Sequence, residues 1–323
     1  MTHQNTATGA ARYTATNVRQ QFADTMLAVG QENEKLVVVV GDISHGILQP
    51  YAKAFPGRYY NIGILEPTTI SLGAGLSRSG LIPVIHTIAP FLVERAFEQI
   101  KLDFCYHKVG GNIVAVGSAF DYANLGVTHH CYGDFALLKT LEGTEITCAA
   151  SPVEFDMLFR QAYANPNVIY YRVAGSRHGV DFAPSDIVFG KAIRITEGKT
   201  LTLVATGPQL ASALGARDLL AADGWDAEIL YVHTIRPLDV EAIRTSVDKT
   251  GHVVVIEEHM RSGGLGDDVM RAMQNRGAYK FLSMSIPDRF VRGYGTYRDH
   301  CESCGLTPQG VADAVGNTFG KPV

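Results

Sequence analysis

The sequence contains few cysteines, and their number is odd. There are five among 323 residues, so a disulfide framework of paired thiols is not expected. This argues against a small secreted domain and favours a compartment in which thiols stay reduced. Two of the five, Cys301 and Cys304, form a lone C-x-x-C pair, which is only half of a zinc site. The sequence leaves the role of this pair open.

Strong charge of either sign and long apolar runs are also missing. Lys and Arg total 28 against 32 Asp and Glu, and no basic block suggests nucleic-acid binding. The apolar stretch at residues 81–93 is interrupted by Pro83, His86 and Pro90, and it is too short to span a bilayer. The first residues have no apolar signal-peptide core. We therefore expect a globular cytoplasmic protein.

Short runs of β-branched residues alternate with helical patterns in the first half of the chain. The predicted strands are KLVVVVGDIS, IPVIHTI, GNIVAVGS, TEITCAAS and NVIYYRVAG. The predicted helices cover Thr16–Gly30, Thr68–Ser79, Phe91–Tyr106, Asp134–Leu141 and Val153–Ala164. Four consecutive valines in the first strand suit a strand covered on both faces. The alternation predicts an α/β fold with a mostly parallel sheet and helices on both of its faces.

A polar stretch with Gly and Pro, residues 175–191, interrupts this alternation and is interpreted as a linker. After it, a second and smaller series of strands and helices begins with TLTLVATG and ends with the helix after GGLG. The chain length also suits two domains better than one. We place these α/β domains at residues 1–183 and 184–323.

Glu66 is the only charged residue between Arg58 and Arg78. A carboxylate in such an uncharged stretch is costly to bury unless it has a partner. One interpretation is an acid at a helix start, stabilised by the helix dipole. Another is a site residue, because ligands of parallel sheets bind where the strands end. Other polar side chains follow or close the predicted strands, namely Asp42, Ser44, His45, His86, Thr87 and Arg172.

Several long motifs resemble transketolase-type thiamine diphosphate enzymes. FPGRYYNIGILEPTTISLGAGLSRSGLIP, TIAPFLVERAFEQIKLDFCY and LGVTHH are similar to the domain that binds the aminopyrimidine of the cofactor. LVATGPQLASALGARDLLAADGWDAEILYVHTIRPLD and VVVIEEHMRSGGLGDDV look like the C-terminal domain of the same enzymes. The resemblance runs from about Thr16 to Ala314. It implies a pyrimidine-binding domain followed by a smaller α/β transketolase C-terminal domain.

The resemblance implies that thiamine diphosphate is the cofactor and that Glu66 contacts N1′ of its aminopyrimidine. Phe91 matches the aromatic residue that stacks on this ring, and Ile64 and Arg95 lie in the same matched segments. A carboxylate at N1′ favours the imino form, which removes the proton from the reactive thiazolium carbon. His129, in the T-H motif, is the second catalytic candidate and is expected to handle substrate protons.

The family's magnesium-binding motif, G-D-G followed by an Asn, does not occur in the sequence. The resemblance therefore implies that Mg²⁺ and the diphosphate are held by a second subunit carrying that motif. We expect an α2β2 assembly in which this chain is one subunit of a split enzyme. No metal site is expected on this chain itself. A diverged, non-catalytic subunit is the alternative.

On the substrate side, the positions that match sugar-phosphate ligands of the family are Arg19, Ser44, His129 and Arg172, with His45 and His86 nearby. Two arginines favour an anionic substrate, most simply a phosphorylated ketose. Leu125 replaces the Asp that reads a substrate hydroxyl in the family, so an unusual acceptor is expected. The implied reaction moves a two-carbon ketol unit from a ketose to an aldehyde or ketone. A β subunit of a 2-oxo acid dehydrogenase E1 component remains the rival interpretation.

Overall fold

A computed structural model of the chain describes residue 15 and residues 17–322. The predicted helix start at Thr16 and the first residues of the first predicted domain lie outside this range. Among the described residues, no helix is both long and apolar enough to cross a membrane.

The described residues form twelve strands and eleven α-helices. The strands are β1 (Leu36–Val40), β2 (Tyr59–Asn61), β3 (Ile82–Ile88), β4 (Gly111–Val116), β5 (Thr144–Ala149), β6 (Val168–Val173), β7 (Ile193–Thr196), β8 (Leu201–Ala205), β9 (Ala227–Tyr231), β10 (Thr234–Arg236), β11 (His252–Met260) and β12 (Lys280–Ile286). The helices are α1 (Val18–Glu32), α2 (Gln49–Ala54), α3 (Glu66–Arg78), α4 (Phe97–Gln99), α5 (Asp134–Lys139), α6 (Pro152–Ala162), α7 (Leu210–Ala222), α8 (Val240–Thr250), α9 (Leu265–Ala272), α10 (Tyr297–Ser303) and α11 (Pro308–Phe319).

The strands form two sheets, and both are mainly parallel. The first has the order β10-β5-β6-β4-β3-β1-β2, in which only β10 runs antiparallel to its neighbour. The second has the order β12-β11-β8-β9-β7, with β7 antiparallel to β9. The predicted α/β fold with a parallel sheet is therefore confirmed. Because β10 follows β9 in the chain but joins the first sheet, it ties the two halves together.

Both faces of the first sheet are covered by helices, as the apolar strands predict. Every residue of β1, β4 and β6 is buried. Val84 belongs to the cluster that contains Phe22 of α1, while its neighbour Ile85 belongs to the cluster that contains Ile70 of α3. Adjacent residues of β3 therefore face opposite layers, as the pleat of a strand requires.

Three strands that the sequence did not reveal, β2, β7 and β12, are all edge strands. Most of their residues are partly exposed, so they lack the continuous apolar run that marks a central strand. The helix expected over Phe91–Tyr106 also differs, because two π-helical segments, Phe91–Arg95 and Ile100–Tyr106, flank α4. Such wider turns occur frequently at functional sites.

Candidate functional site

A chain of hydrogen bonds links Arg19, Ser44 and His86 beyond the carboxyl ends of β1 and β3. Arg19 Nε donates to Ser44 Oγ at 2.7 Å, and Ser44 Oγ lies 2.7 Å from His86 Nε2. His86 Nδ1 lies 2.8 Å from the carbonyl oxygen of Val114, which can only accept, so Nδ1 carries the proton. Nε2 must then accept from the Ser44 hydroxyl. Both hydrogen-bonding roles of Ser44 are therefore used to orient Arg19.

His86 is completely buried, and this burial lowers its pKa to about 3. The imidazole therefore stays neutral at physiological pH and keeps the tautomer that the Val114 carbonyl imposes. Its ring also packs 4.4 Å from the ring of Phe22, centroid to centroid. The structure thus places His86 behind Ser44 and not at the surface where a substrate would bind.

The loop that presents Ser44 has an unusual backbone. Asp42 and Ser44 have φ angles of 56° and 57°, in the left-handed region that few residues other than glycine adopt. Asn61 at the end of β2 holds the loop, because its Nδ2 donates to Asp42 Oδ1 and its Oδ1 accepts from the Asp42 amide, both at 3.1 Å. Left-handed residues that persist in this way cluster at functional sites.

Asn17, Gln20, Gly46 and Ile47 join Arg19, Ser44 and His45 around a cavity of about 390 Å³. Arg19 is half-buried, and its bond to Ser44 uses Nε rather than either of its terminal nitrogens. His45 bonds to the hydroxyl of Tyr59 at 2.9 Å through Nδ1. The cavity therefore combines a guanidinium and an imidazole, a pair suited to an anion.

Glu66 is the first residue of α3, and only 2% of its side chain is exposed. Its Oε2 accepts a hydrogen bond from Arg95 Nη1 at 3.0 Å, and Oε1 has no donor among the described residues. Gly73 lets α3 approach β3 closely, since a Cβ there would lie 2.3 Å from Ile85 Cδ1. The solitary carboxylate of the sequence therefore has a partner in its own chain, and one oxygen is left for another group.

Phe91, Arg95, Tyr122 and His129 surround this carboxylate's partner. The Arg95 guanidinium carbon lies 4.2 Å from the centroid of the Phe91 ring. The Phe91 and His129 rings are 5.2 Å apart, and the Tyr122 and His129 rings are 6.0 Å apart. Arg95 remains 48% exposed. The arrangement offers aromatic faces and a carboxylate oxygen beside each other.

These residues fit the aminopyrimidine that the sequence resemblance implies. A flat ring with a protonated nitrogen needs an acceptor at that nitrogen and apolar surface against its faces. Glu66 Oε1 provides the acceptor, while Phe91 and the 68%-exposed Ile64 provide apolar surface on the segments before and after α3. Among the described residues, no group of three or more His, Cys, Asp or Glu side chains is placed to hold a metal ion.

Arg172 is not brought together with these residues. Its side chain is 1% exposed, and its Nε lies 3.1 Å from Oδ2 of the equally buried Asp134. It also donates from Nη1 to the carbonyl oxygen of Glu258 at 3.1 Å and from Nη2 to that of Cys131. Although burial opposes ionisation, the Asp134 carboxylate raises the pKa of Arg172, which stays charged. Arg172 thus joins β6 of the first sheet to β11 of the second.

Two neighbours of the site were missed from the sequence. Asn61 carried no signal beyond its position near Glu66, and nothing predicted that Tyr122 would lie beside His129. Leu125, which replaces the family's Asp, is 44% exposed in the turn that leads to His129. Cys301 is 4% exposed and Cys304 is partly exposed, and all five cysteines are free thiols. Burial raises the pKa of Cys301 to about 12, which makes it unreactive at neutral pH.

Two family models match the chain in succession. Residues 14–174 match the transketolase pyrimidine binding domain, and residues 190–311 match the transketolase C-terminal domain. Together they cover both sheets of the structure and the segments that contain Glu66, Phe91 and His129.

Individual relatives agree with these matches. The chain is 31% identical over 296 residues to one subunit of the apulose-4-phosphate transketolase of Phocaeicola vulgatus, covering 91% of this chain and 94% of the relative. It is 30% identical over 298 residues to 1-deoxy-D-xylulose-5-phosphate synthase of Heliobacterium modesticaldum, covering 91% of this chain but only 46% of the relative. A solved structure described as a split gene transketolase, inactive beta4 tetramer, superposes with a TM-score of 0.87 at 31% identity, covering 96% of this chain and 100% of that one.

Proposed function

This chain belongs to the transketolase family, and from that premise we propose that it is the pyrimidine-domain subunit of a split, thiamine diphosphate-dependent transketolase. The observation that carries the proposal is the Glu66 carboxylate, which keeps one oxygen open beside Phe91 and Arg95. Similarity to a separately encoded transketolase subunit along 94% of that relative supports the split form. As a member of this family, the chain has a transferase role.

In the proposed reaction, a two-carbon ketol unit passes from a ketose to an aldehyde or ketone acceptor. Thiamine diphosphate, when bound, supplies the nucleophilic carbon and the electron sink for breaking the carbon–carbon bond. Glu66 holds a proton at the aminopyrimidine ring through Oε1, and Arg95 keeps the carboxylate ionised and oriented through Oε2. Phe91 and Ile64 exclude water from the ring, and His129 moves protons on substrate hydroxyls.

We propose a phosphorylated ketose as the donor. Arg19 and His45 form the anion-binding part of the cavity, while Ser44 and the buried His86 position Arg19. The phosphate in the name of the Phocaeicola relative is consistent with this choice. Arg172 has no part in binding in this proposal, because its charge is used against Asp134 inside the protein.

A second subunit completes the proposed enzyme. It would hold Mg²⁺ and the diphosphate through a G-D-G…N motif, in an α2β2 assembly. The naming of one relative as a subunit and of another as the product of a split gene supports a partner. So does the Heliobacterium synthase, of which this chain spans only 46%. The names of these relatives do not favour the 2-oxo acid dehydrogenase alternative.

The donor half-reaction tests the proposal. The chain is co-purified with the product of a neighbouring G-D-G-bearing frame, and thiamine diphosphate and Mg²⁺ are added. We expect ferricyanide to be reduced when a ketose phosphate is supplied and not when a 2-oxo acid is supplied. Reduction with 2-oxo acids alone would overturn the transketolase assignment in favour of the dehydrogenase. Omitting the partner is the control, and activity without it would contradict the split form.

The Arg19→Gln variant tests the phosphate site. Loss of one charge-assisted hydrogen bond costs about 1.5–3 kcal/mol, which corresponds to a KM increase of roughly 10- to 150-fold. We expect this increase for a phosphorylated ketose and little change for its unphosphorylated counterpart. Steady-state kinetics on both substrates measures the difference. An equal increase for the two would show that Arg19 does not contact the phosphate.

A further inference from the structure

A second basic cavity lies at the opposite edge of the first sheet, where no residue of the candidate site is found. Its volume is about 440 Å³, within the range of small-molecule sites. Four cationic side chains and one carboxylate line it together with apolar residues: Lys139, Arg236, Arg244, Arg271 and Asp268. We refer to this as the basic cavity.

The charges around the basic cavity do not balance. Lys139 forms an ion pair with Asp268, and these two side chains neutralise each other. Arg236, Arg244 and Arg271 form no ion pair with a carboxylate in the part of the chain that the structure describes. Three guanidinium charges therefore surround the cavity in a protein whose net charge is −4. Like charges held this close favour a bound anion.

Neutral carbonyl groups hold two of these guanidinium groups in place. Arg236 Nη1 donates to the carbonyl oxygens of Lys139 and Leu141, each at 3.2 Å. Arg244 Nε donates to the carbonyl oxygen of Ala272 at 2.8 Å. Carbonyl partners orient a guanidinium without cancelling its charge. Both side chains are therefore preorganised, which reduces the entropy that binding would cost.

The basic cavity is remote from the candidate site. Arg236 Nη1 donates to Thr144 Oγ1 at 3.0 Å, and Thr144 is the first residue of β5. Ser44 and Glu66 instead follow the carboxyl ends of β1 and β2. A strand of this length separates the two edges of the sheet by roughly 17–20 Å. A substrate in the candidate site cannot therefore reach these arginines.

We propose that the basic cavity binds the phosphate group of a small metabolite at a site separate from the reaction centre. Arg forks match phosphate oxygens in geometry as well as in charge. Lys139 belongs to α5 beneath the first sheet, whereas Arg244 and Arg271 belong to α8 and α9 beside the second. A bound phosphate bridges the two halves of the chain and stabilises their contact. This inference does not depend on ketol transfer.

Calorimetric titration of the full chain with inorganic phosphate tests the proposal. The Arg19→Gln variant serves as the background, because it weakens phosphate binding at the candidate site. In that background we expect saturable binding, and the added change Arg244→Gln/Arg271→Gln lowers the affinity at least tenfold. Arg271 is exposed, so Arg271→Gln alone is expected to keep the fold and to weaken binding at least threefold. A matched control is the exposed Arg78→Gln, for which we expect no change.

Thermal unfolding gives a second readout. Phosphate raises the Tm of the Arg19→Gln variant above its value in chloride of equal ionic strength, and the double change at Arg244 and Arg271 removes this rise. Titration with fructose 6-phosphate distinguishes the two sources of phosphate, because tighter binding than inorganic phosphate indicates a sugar phosphate and equal binding indicates the free ion. Absence of saturable binding in the Arg19→Gln background, or equal binding by the double variant, would overturn the proposal. Loss of ketol transfer alone would not affect it.

Discussion

Glu66→Gln will lower the turnover of the assembled enzyme about 10²- to 10⁴-fold, the usual contribution of a positioned acid or base. The amide has the same shape as the carboxylate but cannot stabilise a proton on the aminopyrimidine ring. The fold will remain, because the partner left behind, Arg95, is 48% exposed and stays hydrated. Turnover is measured with a ketose donor and an aldehyde acceptor, and Tm is measured on the same preparations.

Glu98→Gln is the matched control for this change. Glu98 lies on α4, four residues after Glu94, and its carboxylate is exposed. The same chemical change there should leave turnover within about twofold, since it alters only a solvated charge. If Glu66→Gln retains normal turnover while Glu98→Gln does as well, Glu66 is only a helix-start acid paired with Arg95. That outcome would remove the central observation behind the proposed function.

Arg172→Met will lower the free energy of unfolding by about 3–5 kcal/mol, the cost of leaving one member of a buried ion pair without its partner. Asp134 would remain 0% exposed with its charge uncompensated, and the bond to the Glu258 carbonyl would be lost. Methionine fills much of the same space, so a cavity contributes little to the expected loss. The shift of the urea midpoint measures the effect.

Two further variants separate a structural role of Arg172 from substrate binding. The double change Arg172→Met/Asp134→Asn should recover much of the lost stability, because no charge is then left buried. Arg78→Met, on an exposed arginine, should cost little. If Arg172→Met instead leaves the urea midpoint unchanged and raises the KM for the donor, the substrate role that the family resemblance implies is correct.

The sequence by itself determined the layered α/β architecture and the family. Central parallel strands are buried on both faces, so β1, β3, β4, β5 and β6 appear as apolar runs that can be recognised without any partner strand. The isolation of Glu66 was equally visible, because an uncharged neighbourhood is a property of the chain order. The domain limits at residues 1–183 and 184–323 and the roles of individual site residues remain predictions.

Only the tertiary structure decided which groups face each other. Glu66 and Arg95 are 29 residues apart, and Arg172 and Asp134 are 38 apart, so no local pattern could connect either pair. Both arginines appeared to be ligand-binding candidates in the sequence, since chain order does not specify where a side chain ends. Burial then separated them: Arg95 is half exposed beside Phe91, whereas Arg172 is enclosed between the two sheets. The same limitation hid the basic cavity, whose arginines come from distant elements and meet only because β10 joins the first sheet.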